Sequence, residues 1–240
     1  MKGENDGLAK INRPRLSLTY HRACLYNLLD ELYATPLIMV NGLPGAGKTT
    51  LIAGYAESRK IPCLWYQMDH NDADLSAFFF GLNSAALAVN PENGALLPRL
   101  PPEHVLGVPS VTKEYFRKLY RYLETPFLIV LDDYQEIPKG AALHEVIKDA
   151  CAELPHGGRM ILISRYECPL TASGTSPACA TAVIGDEELQ LSPDEAKGIA
   201  ALHGMTLSSD EGACQLLSKT GGWAGNLVVA LQNSRVGMET

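Results

Sequence analysis

Residues 42–49 read Gly42-Leu43-Pro44-Gly45-Ala46-Gly47-Lys48-Thr49 and match the phosphate-loop (Walker A) pattern G-x-x-x-x-G-K-[ST]. The apolar run 36–41 before them predicts a buried strand, and residues 50–58 after them predict a helix. A strand, a glycine-rich loop and a helix in this order aim backbone N–H groups and a helix N-terminus at phosphate. The stretch therefore predicts a nucleoside triphosphate and Mg²⁺ as ligands. The alternative is a chance glycine-rich turn.

Each residue type in this loop has a predicted role. The glycines let the backbone curl around the β-phosphate without a Cβ clash, and Lys48 reaches the β- and γ-phosphates. The Thr49 hydroxyl is placed to ligate Mg²⁺, and Thr50 is placed to touch the α-phosphate. The predicted nucleotide-binding residues of the loop are Gly42, Leu43, Pro44, Gly45, Ala46, Gly47, Lys48, Thr49 and Thr50.

The composition narrows the class of protein. Of the 240 residues, 46% are hydrophobic, which is ample for a buried core, and the net charge is −7. Because it has no basic run, the chain is a poor candidate for a nucleic-acid or anionic-membrane surface. It has neither an apolar run of membrane-spanning length nor an apolar signal region near its charged start, so we expect a cytoplasmic protein. The six cysteines lack metal-ligand spacing and are expected to be reduced thiols.

Farther from the loop, predicted strands and helices alternate. Strands are predicted at 61–68, 127–132, 159–164 and 188–191, and helices at 21–33, 72–89, 112–123 and 142–154. Alternation of this kind favours an α/β fold, with a parallel sheet and helices on both of its faces. The Pro-rich residues 90–110 and the Ser/Thr/Ala-rich residues 169–182 are predicted to be irregular.

The pattern changes near residue 190. Ser192-Pro193-Asp194-Glu195 is a capping box with proline at the first helical position, and Ser208-Ser209-Asp210-Glu211 is a second capping box. Their helices should stop at Gly204 and Gly221, and a third helix should follow over 223–232. The predicted parts of the chain are a flexible tail (1–12), a nucleotide-binding α/β domain (13–190) and a small helical subdomain (191–240).

Three further residues are predicted to complete a nucleotide site. Asp132 ends an apolar strand, where an acidic residue can hold Mg²⁺, usually through water. Asp133 would then orient or deprotonate an attacking water, and its short side chain predicts slow turnover. Arg165 follows the next strand and is placed to sense the γ-phosphate. The alternatives are a strand-end turn for Asp132, a solvated cap for Asp133 and a surface salt bridge for Arg165.

With these residues assigned, the chain resembles the nucleotide-binding module of STAND-class signalling ATPases. Within that class it is similar to the ATP-dependent LuxR-type transcription activators of the maltose-regulator-like group, over about residues 12–232. Besides the phosphate loop, the resemblance rests on Asn12-Arg13-Pro14-Arg15-Leu16 with His21-Arg22, Leu64-Trp65-Tyr66-Gln67-Met68-Asp69 running into Asn71-Asp72-Ala73-Asp74, Leu131-Asp132-Asp133-Tyr134, Ile163-Ser164-Arg165 and Gly221-Gly222-Trp223-Ala224-Gly225-Asn226-Leu227.

The resemblance implies an ASCE-type P-loop fold and a switch function. Modules of this family bind ATP or ADP with Mg²⁺. Their ADP state is closed and monomeric, ATP with an inducer favours a self-associating state, and hydrolysis resets the switch. The resemblance makes Pro14, Leu16 and Arg22 candidate adenine contacts and places the Gly-Gly-Trp segment near the nucleotide. Inducer and DNA would bind regions that follow such a module, and no membrane partner is implied.

Two other functions stay open. A small-molecule kinase would usually carry an arginine-rich lid, and only Arg159 and Arg165 lie between the acidic strand and residue 191. A ring ATPase would need an arginine given to a neighbour, for which Arg99 or Arg121 are candidates, and usually a glutamate in place of Asp133. We therefore expect a slow ATPase that serves as a switch in a transcription regulator, with a stand-alone P-loop ATPase or a kinase as the alternative.

Overall fold

A computed structural model of the protein describes residues 10–167, 170, 180–207 and 209–236. Its centre is a five-stranded sheet in which every strand pair is parallel. The strands are β1 (Leu37–Asn41), β2 (Cys63–Gln67), β3 (Phe127–Asp132), β4 (Gly158–Ser164) and β5 (Thr181–Ile184). They lie in the order β2-β3-β4-β1-β5, so β4 separates β1 from β3. The predicted α/β class with a parallel sheet is confirmed.

Helices connect β1 to β2, β2 to β3 and β3 to β4, because strands that run parallel need a crossover between them. The helices are α1 (Ala23–Glu31), α2 (Lys48–Arg59), α3 (Leu75–Val89), α4 (Pro109–Leu123), α5 (Leu143–Ala152), α6 (Asp186–Leu189), α7 (Pro193–Leu202), α8 (Asp210–Thr220) and α9 (Ala224–Val236). Shorter 3₁₀ turns cover Leu32–Ala34, His70–Ala73, Pro91–Leu96, Glu103–Val105 and Tyr134–Glu136. Within the described ranges, none of the helices combines the length and the apolar character needed to cross a membrane.

Helices cover both faces of the sheet, as predicted. On one face, α3, α4 and α5 pack through side chains such as Phe79, Phe116 and Val146. On the other face, α1 and α2 pack through Leu29 and Ile52. The middle strands carry apolar side chains toward both layers, which explains why their sequences are continuous apolar runs and do not alternate.

A third apolar cluster joins the helices that follow residue 190. Its buried members are Leu191, Ala196, Ile199, Ala200, Ala213, Leu227 and Leu231. The capping box predicted at Ser192 is present. The Glu195 N–H donates to the Ser192 Oγ at 3.2 Å, and the Ser192 N–H donates to the Glu195 carboxylate at 3.0 Å.

The fifth strand lies elsewhere than predicted. A strand was expected at 188–191, but β5 forms at Thr181–Ile184 and pairs with β1, and residues 186–189 are helical. Residues 186–189 form a helix and not a strand because three acidic residues lie in the first turn, where the helix dipole favours them. Glu188 also accepts the Gly185 N–H at 2.8 Å. The irregular segment predicted at 169–182 therefore includes the start of β5, and its residues 169 and 171–179 lie outside the described part of the chain.

Several predicted helix boundaries also move. α8 begins after Ser209, whose Oγ accepts the Gly212 N–H at 3.1 Å, whereas the predicted cap Ser208 lies outside the described residues. α4 begins at Pro109, three residues earlier than predicted, because proline is favoured in the first turn of a helix. The predicted stop at Gly221 is confirmed, since this residue ends α8 in the left-handed conformation.

The last residues of the predicted flexible tail are fixed to the sheet domain. The Lys10 Nζ lies 2.8 Å from the Asp69 carboxylate and 2.9 Å from that of Asp72. Asp72 is fully buried and also accepts the Tyr66 hydroxyl at 2.6 Å. Ile11 packs against the larger apolar core. Lys10 and Ile11 belong to the predicted tail 1–12, and both contact the sheet domain.

Candidate functional site

The loop 42–49 joins the end of β1 to the start of α2, as predicted. Gly45 and Gly47 have φ angles of +82° and +84°, a region that side chains with a Cβ rarely adopt. The Ala46 N–H donates to the Leu43 carbonyl at 3.1 Å and closes the turn. α2 then starts at Lys48 and runs for 12 residues, so its N-terminus carries the unpaired N–H groups and partial positive charge that favour an anion.

Lys48 folds back over this loop. Its Nζ donates to the Gly42 carbonyl at 2.6 Å and to the Leu43 carbonyl at 3.0 Å. The side chain is buried, and this burial lowers the lysine pKa, while the nearby Asp132 carboxylate acts in the opposite direction. The loop carbonyls therefore hold the desolvated Lys48 ammonium group at the N-terminus of α2. A phosphate there would bind this cation more strongly than a neutral carbonyl does.

Thr49 meets Asp132 across the sheet edge, although 83 residues separate them in the sequence. The Thr49 Oγ1 lies 3.0 Å from Asp132 Oδ2 and 3.2 Å from Oδ1. Asp132 is 4% exposed, and burial, followed by the neighbouring charge of Asp133, raises its pKa from an ordinary 3.8 to about 6. A desolvated carboxylate beside a hydroxyl is a pair of hard oxygen donors, which suits Mg²⁺.

The Thr49–Asp132 pair fits a metal ion whose remaining ligands come from a phosphate and from water. Among the described residues there is no cluster of three or more His, Cys, Asp or Glu side chains that could hold a metal alone. Magnesium is usually bound through one or two protein groups, with phosphate and water completing the octahedron. Thr49 and Asp132 supply that number of protein donors beside the loop 42–49.

Asp133 and Arg165 also come together at this edge. Asp133 adopts φ +58°, and its carboxylate accepts the Gln67 amide at 3.0 Å and the Gln135 amide at 2.7 Å. The Arg165 guanidinium, which is 47% exposed, lies 3.8 Å from the same carboxylate. The Arg165 backbone N–H donates to Gln135 Oε1 at 3.0 Å. The sequence analysis did not identify either glutamine, and glutamine alone carries no signal for this position.

A cavity of about 430 Å³ opens beside the loop. The N-terminal segment, α7 and α9 all contribute to its lining. Its lining residues are Arg15, Leu16, Ser17, Leu18, Thr19, Tyr20, Arg22, Tyr26, Gly45, Ala46, Gly47, Thr50, Leu51, Ile199, Leu202, His203, Ala224, Gly225 and Val228. Two of the three predicted adenine contacts, Leu16 and Arg22, line this cavity, which we call the base cavity.

Pro14, the third predicted adenine contact, does not line the base cavity. It lines a second cavity of about 410 Å³. That cavity is bounded by Asn12, Arg13, Pro14, Arg15, Thr49, Trp65, Gln67, Asp132 and Asp133. Pro14 therefore lines the same cavity as the Thr49–Asp132 pair, and Arg15 lines both cavities.

The guanidinium of Arg22 is committed to protein acceptors. It donates to the carbonyls of Leu189 and Gln190, each at 2.9 Å, and to both carboxylate oxygens of Glu195 at 2.8 and 3.0 Å. Its side chain is 9% exposed. These bonds give Arg22 a structural role at the edge of the base cavity, and its contact with a base stays a prediction.

The helical subdomain touches the glycine-rich loop directly. The Gly225 N–H, in the first turn of α9, donates to the Gly45 carbonyl at 2.7 Å. A Cβ on Gly225 would lie 2.9 Å from the Gly45 Cα and 2.9 Å from its carbonyl oxygen. Only glycine fits this approach, so the Gly-Gly-Trp segment lies against the loop.

Histidine and cysteine side chains could also take part in chemistry. The His144 ring contacts the Tyr134 hydroxyl at 2.8 Å and the Pro138 carbonyl at 2.9 Å. The four cysteines within the described residues are Cys24, Cys63, Cys151 and Cys214, and none of these four is in a disulfide.

Comparison with known proteins adds no assignment. Neither a scan against models of protein families nor a search of curated proteins found a match for this chain.

Proposed function

We propose that this chain is a P-loop, ATP- and ADP-binding switch module with slow Mg²⁺-dependent ATPase activity. The observation that carries the proposal is the meeting of Thr49 with the buried Asp132 beside the loop that holds Lys48. Three groups with complementary roles converge there from two strand ends: a cation for phosphate, a hydroxyl and a carboxylate for the metal. A fortuitous glycine-rich turn would not explain why a carboxylate is buried opposite the threonine.

The base cavity suits adenine. It adjoins Gly45 and Gly47, so phosphates on the loop would leave the nucleoside inside it. Among the described residues that line it there is no carboxylate, and many are apolar. Guanine presents adjacent N–H donors that lose free energy when they are buried without an acceptor, so the lining favours adenine.

The metal would be held by Thr49 and, directly or through water, by Asp132. When bound, Mg²⁺ supplies charge neutralisation for the phosphate oxygens. Burial raises the pKa of Asp132, and a nearby cation lowers it. The bound metal would therefore keep the Asp132 carboxylate ionised. The desolvated carboxylate therefore favours the loaded form of the site.

Asp133 is the candidate base. Two amide groups fix its carboxylate, and Arg165 lies beside it, so the side chain is oriented toward the site before any water arrives. Asp133 can accept a proton from an attacking water, and Arg165 can stabilise charge that develops on the γ-phosphate. Because two amides and the arginine already occupy this carboxylate, a water has to compete with them for it, which agrees with slow hydrolysis.

The contact between Gly225 and Gly45 links the nucleotide site to the helical subdomain. A nucleotide can shift a conformational equilibrium only by binding one state more tightly than the other. A loop that hydrogen-bonds both a ligand and the subdomain provides that difference. This link supports the switch, and the resemblance to LuxR-type activators suggests that the chain is the N-terminal part of a transcription regulator.

The second cavity favours one other function. Its walls include Asp133 and two arginines, and it adjoins the proposed metal position. An acceptor hydroxyl placed there could pass its proton to Asp133 and attack the γ-phosphate, with ADP as the leaving group, as in a small-molecule kinase.

The test is to denature the purified chain and to identify the nucleotide it releases. We expect stoichiometric ADP from the parent and none from Lys48→Ala. Lys118→Ala, which removes a lysine on the exposed face of α4, is the control and should resemble the parent. Equal ATP affinity in the parent and Lys48→Ala would refute the site. Phosphate release from ATP without any acceptor would favour the ATPase over the kinase.

A further inference from the structure

The N-terminal segment 15–22, which we call the strap, is attached to the helical subdomain at two points. The first is Arg22, which pairs with Glu195 in the first turn of α7. The second is Tyr20, whose ring lies against Gly198 one turn further along the same helix. A Cβ at Gly198 would overlap that ring. The two contacts are three residues apart on α7, and therefore lie on one face of the helix.

The Arg22 contact ties three parts of the chain together. Its guanidinium binds the carbonyls that end α6 and the carboxylate that starts α7, while its backbone caps α1. Glu195 is 14% exposed and also closes its own capping box with Ser192. A bidentate pair of low exposure, supported by further hydrogen bonds, is geometrically specific in a way that an exposed ion pair is not.

The strap is also one wall of the base cavity. Residues 15–20 line the cavity, and so do Ile199, Leu202 and His203 of α7 and its C-terminus. The helix that anchors the strap therefore also lines the cavity. The position of the strap in this lining depends on its contacts with that helix.

We propose that Arg22 and Glu195 form a latch that holds the strap as the wall of the base cavity, and that Arg22 is a positioning residue for the nucleoside part of the ligand. This proposal rests on the proposed nucleotide binding. Within the described part of the chain, the Arg22 side chain hydrogen-bonds to Leu189, Gln190 and Glu195 and to no residue of the loop 42–49. The α6 helix that it binds does contact that loop, because Asp186 accepts the Leu43 N–H at 3.3 Å. Loss of the latch should weaken recognition of the base and ribose and leave phosphate binding intact.

The expected loss of nucleoside affinity depends on the fraction of molecules in which the strap is in place. If the strap occupies its place about a tenth of the time without the latch, the apparent affinity for a nucleoside falls about tenfold. Inorganic pyrophosphate reaches only the loop and should lose less than about twofold, which separates positioning from general damage to the fold.

The experiment compares the affinities of ADP and of inorganic pyrophosphate, each with Mg²⁺, by calorimetry. The variants are Arg22→Gln, Glu195→Gln and the double variant. Glutamine at 195 keeps the capping box, because glutamine serves at this position as well as glutamate does. Arg59→Gln is the control, since it breaks an arginine–aspartate pair at the far end of α2. Hydrogen exchange of residues 15–20 in the ligand-free proteins is the second readout.

We expect about tenfold weaker ADP binding in each single variant, no further loss in the double variant, and faster exchange in 15–20. Arg59→Gln should match the parent in all three measurements. Unchanged ADP affinity, or equal losses for ADP and pyrophosphate, would overturn the proposal. A parent that binds neither ligand would refute the proposed function and the nucleoside role with it. Unchanged exchange in Arg22→Gln would refute the latch itself, whatever the ligand.

Discussion

Replacing Asp132 with asparagine should stabilise the ligand-free protein at neutral pH. The carboxylate is 4% exposed, and burial raises its pKa from 3.8 to about 6. Each unit of difference in pKa corresponds to about 1.4 kcal/mol, so the charged form destabilises the folded state by as much as ~3 kcal/mol. Asparagine keeps an oxygen that can accept the Thr49 hydroxyl and carries no charge to desolvate.

The sign of the pH dependence follows from linkage. Between pH 3.8 and about 6 the folded state binds the Asp132 proton more tightly than the unfolded chain does, so this residue's contribution to stability falls as the pH rises. Above pH 6 the destabilisation is complete. The advantage of Asp132→Asn in the free energy of unfolding should therefore grow from near zero at pH 4 to its full value at pH 7.5.

The assay is urea denaturation of the parent and Asp132→Asn at pH 4, 5, 6 and 7.5, with EDTA and without nucleotide. Asp30→Asn is the control of opposite sign, because hydrogen bonds from Arg59 lower the pKa of Asp30 and its loss should destabilise the protein at neutral pH. Equal stabilities of the parent and Asp132→Asn at all four pH values would refute the assigned burial of charge. With Mg²⁺ and ATP at about 100 times Kd, the parent should gain ~2.7 kcal/mol, and the variant should gain much less.

Three further substitutions test separate parts of the site. Asp133→Asn should retain ATP affinity within about twofold and lower the hydrolysis rate by at least about a hundredfold, since it removes the proton acceptor; parent-like phosphate release in a steady-state assay would make Asp133 a structural cap. Arg165→Ala should weaken ATP binding more than ADP binding, and equal losses in calorimetry would remove its sensing role. Gly225→Ala should destabilise the protein by ~1–3 kcal/mol in thermal or urea unfolding, because its Cβ meets the Gly45 backbone; the neighbouring Ala224→Gly is the control, and an unchanged midpoint for Gly225→Ala would show that the subdomain does not depend on this contact.

The elements that the sequence predicted well are those whose signals are local. The strand before the glycine-rich loop and the strand ending at Asp132 are continuous apolar runs, because a parallel sheet buries both faces of its middle strands. β5 lacks that signal. It is an edge strand of four residues with Val183 half exposed, so its composition resembles that of a loop. The run 188–191 was mistaken for it because Leu189 and Leu191 are apolar, although the acidic first turn favours a helix.

The residues of the candidate site also fall into those that local sequence predicts and those that it does not. The loop, Lys48, Thr49 and Asp132 follow from a motif and from a carboxylate at the end of an apolar strand, and the structure brings the last two within hydrogen-bonding distance. The positions of Gln67 and Gln135 around Asp133 could not be predicted, since an amide side chain signals nothing until its neighbour is known. Nor could the pairing of Arg22 with Glu195 be foreseen, because 173 residues separate them.

Local chemistry in the chain was thus enough to predict a parallel α/β sheet, a glycine-rich turn into a helix and a phosphate-binding pattern. These features depend on backbone freedom, side-chain periodicity and helix caps, which act over a few residues. The buried carboxylate with its raised pKa, the two cavities and the latch on the strap arise from contacts between residues that are distant in sequence. Their energies depend on desolvation and on the relative placement of whole elements, and both exist only after the chain has folded.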